Sequence, residues 1–453
     1  MPLTTQQDGF LKTVFQKLID RPLNPSDPLY EQLYVPLYEN LERRDPVKLL
    51  MRTIDLSPSE SRQFFSGFRG SGKSTQLLRL KKELEALNYR VYYANALDYL
   101  NPALPVDITH LLICLAGAFS DSVEKEEKID ILGESYWTRF WQYLNNTQVQ
   151  LKGFDLSLFS DAAKLQAALK EVPSFRQQIQ EAMSNSPSEF DRHVKKFFEE
   201  CRVALDKKHE GNAGVVFLFD NLEQISGIAL SEVQEVLASI EKIFSKHLDR
   251  LSIPYIHLVY STPPWLRFAL PGMDLEILPS IVQWRNDPAH TPNTSGDQCL
   301  LEVVSGRLGN DGFRDFFASE EDALYLVRHC GGSLRDLIFL LRQTVLNTDC
   351  LPITRKTIES AVSRLRESLI LLSTEDALWL AKIAERRRPE LPDNSAKSIF
   401  RFTWFVNQHL VLFLRNGEEW YDVHPLIRER VAEIAASEAE KITKREAEKA
   451  SSE

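Results

Sequence analysis

Apolar and polar positions change rhythm along the 453 residues, and each change marks a part of the chain. Residues 1–60 read as short polar-aromatic helices. Pro22, Pro25, Pro28, Pro36, Pro46 and Pro58 punctuate them, because a locked φ and a missing N–H stop a helix before it lengthens. At RQFFSGFRGSGKST (62–75) a short apolar strand runs into a glycine turn, and TQLLRLKKELEAL (75–87) then carries leucines at helical spacing. RVYYANA (90–96), β-branched and aromatic, predicts a second strand. More than a hundred residues follow with no strand pattern. Residues 107–210 instead show amphipathic helices such as DITHLLICLAGAF and FDRHVKKFFEECRVAL.

AGVVFLFD (213–220) is a continuous apolar run of the kind buried on both faces of a parallel sheet. A helix over 230–248, a strand YIHLVYST (255–262), a short helix around WLRFAL and a last strand within LEILPSIVQW (275–284) complete the alternation. Strands alternating with helices predict a doubly wound parallel α/β sheet with right-handed crossovers. PAHTPNTSGD (288–297) has the composition of an exposed connection, and the chain beyond it reads as helical to about 369. After Ser373 come helices and then two β-rich runs around RNGEE, where Asn416-Gly417 signals a hairpin, so a winged helix is expected. The expected organisation is a lead-in (1–60), an α/β core (61–290) with a helical insertion (107–210), a helical lid (291–369), a winged helix (370–435) and a polar tail (436–453).

Composition narrows the class. Hydrophobic residues at 43% and charged residues at 26% exclude a disordered or fibrous chain. With 54 basic and 64 acidic side chains the net charge is −10, which argues against a surface that clings everywhere to nucleic acid or anionic lipid. The longest apolar stretch, near LLICLAGAF (111–119), is far short of a membrane span, and MPLTTQQDGF has no signal-peptide character, so a cytoplasmic location is expected. Cys114, Cys201, Cys299, Cys330 and Cys350 show no CxxC pair and read as reduced and mostly buried.

The candidate chemistry centres on GFRGSGKS (67–74), the phosphate-loop pattern between a predicted strand and helix. Gly67, Gly70, Ser71 and Gly72 let backbone N–H groups turn inward around phosphate oxygens. Lys73 reaches the β and γ phosphates, Thr75 follows in the first helical turn, and Ser74 offers a hydroxyl to Mg²⁺. Asp220 closes the buried strand at the sheet edge where ligands bind, and is the second metal-site candidate. Asn221 stands next, so Glu223 is the candidate general base. A helix-capping acid is its bland alternative. Ser261 and Thr262 close the next strand and could orient the attacking water, or merely cap the strand. No NKxD tetrad appears, which favours ATP over GTP.

Together, GFRGSGKS, FLFDNLE, the YST strand end, GGSLRDL (331–337) and the C-terminal helices and hairpin resemble an AAA+-type ATPase, closest to the branch containing origin-recognition and STAND signalling ATPases. The resemblance spans 62–435. It implies that Arg335, in a G-x-x-R setting, contacts the γ-phosphate in cis, and that an arginine such as Arg267, with Arg285 as rival, serves a neighbouring subunit. It implies a magnesium- and ATP-dependent switch acting on a protein partner or by self-assembly, in a setting such as bacterial defence. The insertion would carry partner specificity. Two other readings stay open: a DNA-loading initiator using the winged helix, and a nucleotide-binding scaffold with little turnover.

Charge counts against DNA. Residues 370–453 hold 13 basic and 15 acidic side chains, and Glu418 and Glu419 sit at the expected wing tip. Arg386-Arg387-Arg388 is the best basic cluster, though such runs are usually solvated turns. His424 is expected to cap or fill the wing, and Trp137, Phe140, Trp141 and Tyr143 to pack in the core.

Overall fold

The computed structural model describes residues 3–18, 21–38, 45–68, 70–128, 131–146, 162–225, 230–369, 372–393 and 395–450. Arg69 of the glycine turn and residues 147–161 of the expected insertion lie outside them. In chain order the helices and strands are α1 (Thr5–Lys17), α2 (Tyr30–Leu33), α3 (Pro46–Leu56), β1 (Ser61–Gly67), α4 (Lys73–Ala86) and β2 (Tyr89–Asn95). Five helices follow among the described residues of the insertion: α5 (Ile108–Glu127), α6 (Tyr136–Asn146), α7 (Ala162–Glu171), α8 (Pro173–Ser184) and α9 (Pro187–Lys208). Then come β3 (Gly214–Asp220), α10 (Leu230–Lys246), β4 (His257–Thr262), α11 (Leu266–Ala269) and β5 (Glu276–Leu278). The remainder is α12 (Thr294–Leu308), α13 (Asn310–Phe316), α14 (Glu320–Arg328), α15 (Leu334–Leu346), α16 (Arg355–Leu369), α17 (Thr374–Arg386), α18 (Ala396–Asn407), the strands β6 (Val411–Asn416) and β7 (Glu418–Val423), and α19 (Pro425–Ala450).

The fold is α/β, with one five-stranded sheet in the order β2-β3-β4-β1-β5. The β1–β4, β2–β3 and β3–β4 pairs are parallel, with Ser66 opposite Thr262 and Asn95 opposite Asp220. Parallel strands end on the same side, so Ser66, Asn95, Asp220 and Thr262 share one edge.

Contacts divide the chain into two compact units. The first, residues 46–66 and 74–277, holds the sheet and the insertion. Every residue of β3 is buried, because helices cover both faces of a parallel sheet. Phe119 of α5 sets its ring 5.5 Å from Tyr92, 5.2 Å from Phe217 and 5.0 Å from Phe198 of α9, which fastens the insertion to β2 and β3 through aromatic edges. Asp107 starts α5 by accepting the Thr109 and His110 N–H groups. Trp137 and Phe140 are buried as expected, whereas Trp141 and Tyr143 are only partly so.

The second unit comprises residues 1–45, 67–73 and 278–453. It holds the helices α12 to α16, then α17, α18, the antiparallel β6–β7 hairpin and α19. Val282, Leu412, Leu414 and Trp420 form a buried cluster between the hairpin and the segment after β5. The last strand, expected within 275–284, occupies Glu276–Leu278, and Pro279 after it has no N–H to give a ladder. Ser280 N–H instead donates to the Phe413 carbonyl (2.8 Å) and Ile281 N–H to that of Gly332 (3.0 Å). The strand expected from Tyr255 begins at His257, since Tyr255 takes a left-handed φ of 63° in a turn.

Among the described residues no helix is long and apolar enough to cross a membrane. All five cysteines are free; four are buried and Cys350 is partly exposed.

Candidate functional site

In the sheet unit the site is built at the carboxyl edge of β3 and β4. Asp220 is fully buried. Its Oδ2 accepts the Tyr93 hydroxyl at 2.8 Å and its Oδ1 the Asn221 N–H at 2.7 Å. Burial, reinforced by the Asp220 carboxylate, pushes the Tyr93 phenol well above its ordinary value, so Tyr93 stays a donor. Nothing in the sequence pattern singled out Tyr93. Its role follows from the β2–β3 pairing, which sets the two strand ends side by side.

Asn221 adopts a left-handed φ of 69°, which asparagine tolerates better than most residues. Its side-chain N–H donates to Asn95 Oδ1 at 3.0 Å, and its Oδ1 accepts from Gln224 at 2.7 Å. This bend throws the chain into a 3₁₀ turn over Leu222–Gln224, on which Glu223 stands. Ser261 Oγ donates to Glu223 Oε2 at 2.9 Å and accepts the Leu222 N–H at 3.1 Å. Two sequence candidates, Ser261 and Glu223, are thus brought into direct contact. Thr262 Oγ1 is buried and finds no hydrogen-bond partner among the described residues. A buried hydroxyl left over at a strand end is what a site awaiting a polar ligand provides. Arg267 lies half-buried in α11, and Ser74 and Thr75 occupy the first turn of α4.

In the other unit the glycine turn meets the start of α15. Gly70 takes a φ of +85°, and a Cβ placed on it would lie 2.5 Å from Arg335 Cβ and 3.0 Å from Ser333 Oγ. The start of α15 therefore packs against Gly70 of the phosphate-loop motif, mainly through Arg335 Cβ and Ser333 Oγ. Gly332 lets the same segment lie against Ile281, since a Cβ there would strike the Ile281 carbonyl at 2.0 Å. Ser333 caps α15 by accepting the Asp336 N–H at 3.3 Å. Burial works to raise the Asp336 pKa, but the hydrogen bond from His409 Nδ1 (3.1 Å) and the nearby His424 hold it below the ordinary range. His424 is fully buried, accepts the Leu426 N–H and is pushed down to about 4 by burial.

Lys73 retains only 7% of its surface, and Ser71 is buried with its Oγ unpartnered among the described residues. Arg285, the rival finger, is exposed, and its carbonyl accepts from Arg387 at 3.0 Å.

A Gly70→Ala variant is expected to melt a few degrees below wild type, because alanine resists the left-handed φ and its methyl displaces Arg335, a strain of about 1–3 kcal/mol. Calorimetry checks this. An unchanged melting temperature would mean that the turn and α15 do not press together in solution.

The residues fit a nucleotide with its metal. Each unit supplies donors of its own: in one the turn offers positive-φ glycines, Lys73 and a Ser71 hydroxyl unpartnered among the described residues, and in the other Ser74 offers a hydroxyl and Asp220 a buried carboxylate.

No family model matches this sequence, and no curated protein does. Solved structures similar to it include the Walker-type ATPase PABY2304 of Pyrococcus abyssi, at 11% identity and a TM-score of 0.41 over 92% of this chain and 99% of that one. The ORC2 protein of Aeropyrum pernix in its ADPNP–ADP complexes is similar at 13% identity and a TM-score of 0.38, over 94% and 98%. RuvB of Thermotoga maritima follows at 12% and 0.34, over 92% and 99%. These likenesses are wide in coverage and low in score, so the chemistry of the site stands on its own residues.

Proposed function

We propose that this protein binds ATP with Mg²⁺ and hydrolyses it as a molecular switch that controls assembly or signalling with a protein partner. The observation that carries this reading is the seating of Gly70 against Ser333 and Arg335, which puts a guanidinium-bearing helix start on a phosphate-loop motif. Lys73 and backbone N–H groups of the turn would hold the phosphates, though not that of Ser71, which donates to the Phe68 carbonyl at 3.0 Å. Ser74 and Asp220 would hold the metal, which when bound neutralises charge on the β and γ oxygens. Tyr93 and the Asn221 N–H orient Asp220. Glu223, steered by Ser261, takes the proton of the attacking water.

A switch follows if Arg335 engages the γ-phosphate, because α15 then rests on the turn differently with ATP and with ADP. Arg335→Ala is expected to bind ATP but to lose the difference between ATP and ADP in limited proteolysis or hydrogen exchange across 290–370. Equal ATP and ADP patterns in wild type as well would make Arg335 a structural residue.

The C-terminal arginines support a protein-directed role over DNA. Arg387 donates to the Arg285 carbonyl and to Asn286 Oδ1 (3.1 Å) and lies 5.5 Å from the Trp420 ring centre, while Arg386 pairs with Glu390 at 2.9 Å. Two of the three guanidiniums in the best basic cluster are thus used within the chain.

A further inference from the structure

The N-terminal lead-in has no part in the chemistry above, yet one of its side chains reaches the phosphate-loop motif. Tyr38 keeps 2% of its surface exposed. Its hydroxyl donates to the Ser71 carbonyl at 2.7 Å and faces the Pro279 carbonyl at 3.1 Å. A phenol has a single proton, so the shorter contact, to Ser71, receives most of it. The three partners belong to one compact unit, although 33 and 241 residues separate Tyr38 from the other two.

The Ser71 carbonyl belongs to the same peptide plane as the Gly72 N–H. In a trans peptide these two groups point in opposite directions, so a hydrogen bond that holds the carbonyl outward holds the N–H inward. The Ser71 N–H is already committed, donating to the Phe68 carbonyl at 3.0 Å. The pinned Ser71 carbonyl therefore bears on the direction of the Gly72 N–H, which shares its peptide plane. The φ of Gly72, +87°, is one that residues with side chains rarely adopt.

We propose that Tyr38 is a positioning residue for the phosphate loop: its hydroxyl, by pinning the Ser71 carbonyl, presets the Gly72 N–H toward the bound phosphates. This rests on the nucleotide-binding reading and adds to it the N-terminal segment as part of the phosphate site. A preset donor spends no free energy on reorganising when the anion arrives, so the benefit appears in phosphate affinity.

The test is Tyr38→Phe, which keeps the buried ring and removes only the hydroxyl. ATP, ADP and inorganic pyrophosphate are titrated against wild type, Tyr38→Phe and Lys73→Ala, with a melting curve of each apo protein. The expected result is a folded Phe variant that binds all three anions about three- to tenfold more weakly, by a common factor, the effect of one hydrogen bond. Wild-type affinities in Tyr38→Phe, with Lys73→Ala impaired, would overturn the proposal while leaving the nucleotide site intact. Weaker ATP binding with unchanged pyrophosphate binding would also overturn it, because Tyr38 would then act on the nucleoside end. Unchanged pyrophosphate and ATP affinity in Lys73→Ala would overturn the nucleotide site itself, and this proposal with it.

Discussion

Phosphate release by Glu223→Gln at saturating ATP is expected to fall by about 10²–10⁴ while ATP affinity stays near wild type. The substitution keeps the size of the side chain and leaves an amide oxygen to accept the Ser261 hydroxyl, whose wild-type contact is 2.9 Å. The 3₁₀ turn that carries residue 223 is therefore retained, and only the basic oxygen is lost. A switch that resets by hydrolysis would then be held in its ATP form, so any ATP-dependent assembly should outlast that of wild type. Were Glu223 a mere capping acid, the change would cost a fraction of a kcal/mol and turnover would survive. Parallel measurement of nucleotide binding and phosphate release decides it: wild-type turnover in the Gln variant places the base elsewhere.

Lys73→Ala is expected to weaken ATP binding by at least about a hundredfold. Two charge-assisted bonds to phosphate oxygens, at ~1.5–3 kcal/mol each, are removed with the ammonium. The lysine is more enclosed than a free phosphate-reaching side chain need be, with 7% of its surface exposed, so some apo stability is lost as well. Thermal shift separates the two effects, since a ligand that binds only the native state raises the melting temperature by an amount that grows with the logarithm of its concentration over its Kd. The variant should melt as a folded protein whose melting temperature no longer responds to ATP. A full ATP-induced shift would remove GFRGSGKS from the nucleotide site.

Local pattern was sufficient wherever the physics is local. The strand-turn-helix at 61–86 follows from an apolar run, glycines and 3.6-residue leucine spacing. The buried β3 follows from seven residues with no polar face until Asp220. The helices α5 to α9 need only amphipathic periodicity. Glu223 and Ser261 could each be nominated because strand ends in an α/β sheet face ligands, and the Asn416-Gly417 pair placed the β6–β7 hairpin.

Other features depended on partners distant in the chain. A strand persists only if a neighbour completes its ladder. The residues after Pro279 found theirs in Phe413 and Gly332, so β5 ends after three residues in a segment whose apolar pattern suits a longer strand. Tyr93 gained its role from Asp220, 127 residues away, and Tyr38 from Ser71 and Pro279. Gly70 and Arg335 were nominated separately for their chemistry, but only close packing shows that one lacks a side chain where the other begins its helix. Periodicity and turn chemistry act over a few residues and were readable by themselves. Which buried hydroxyl meets which carboxylate or carbonyl is settled by the need to satisfy every polar group removed from water, and that condition exists only once the chain has closed on itself.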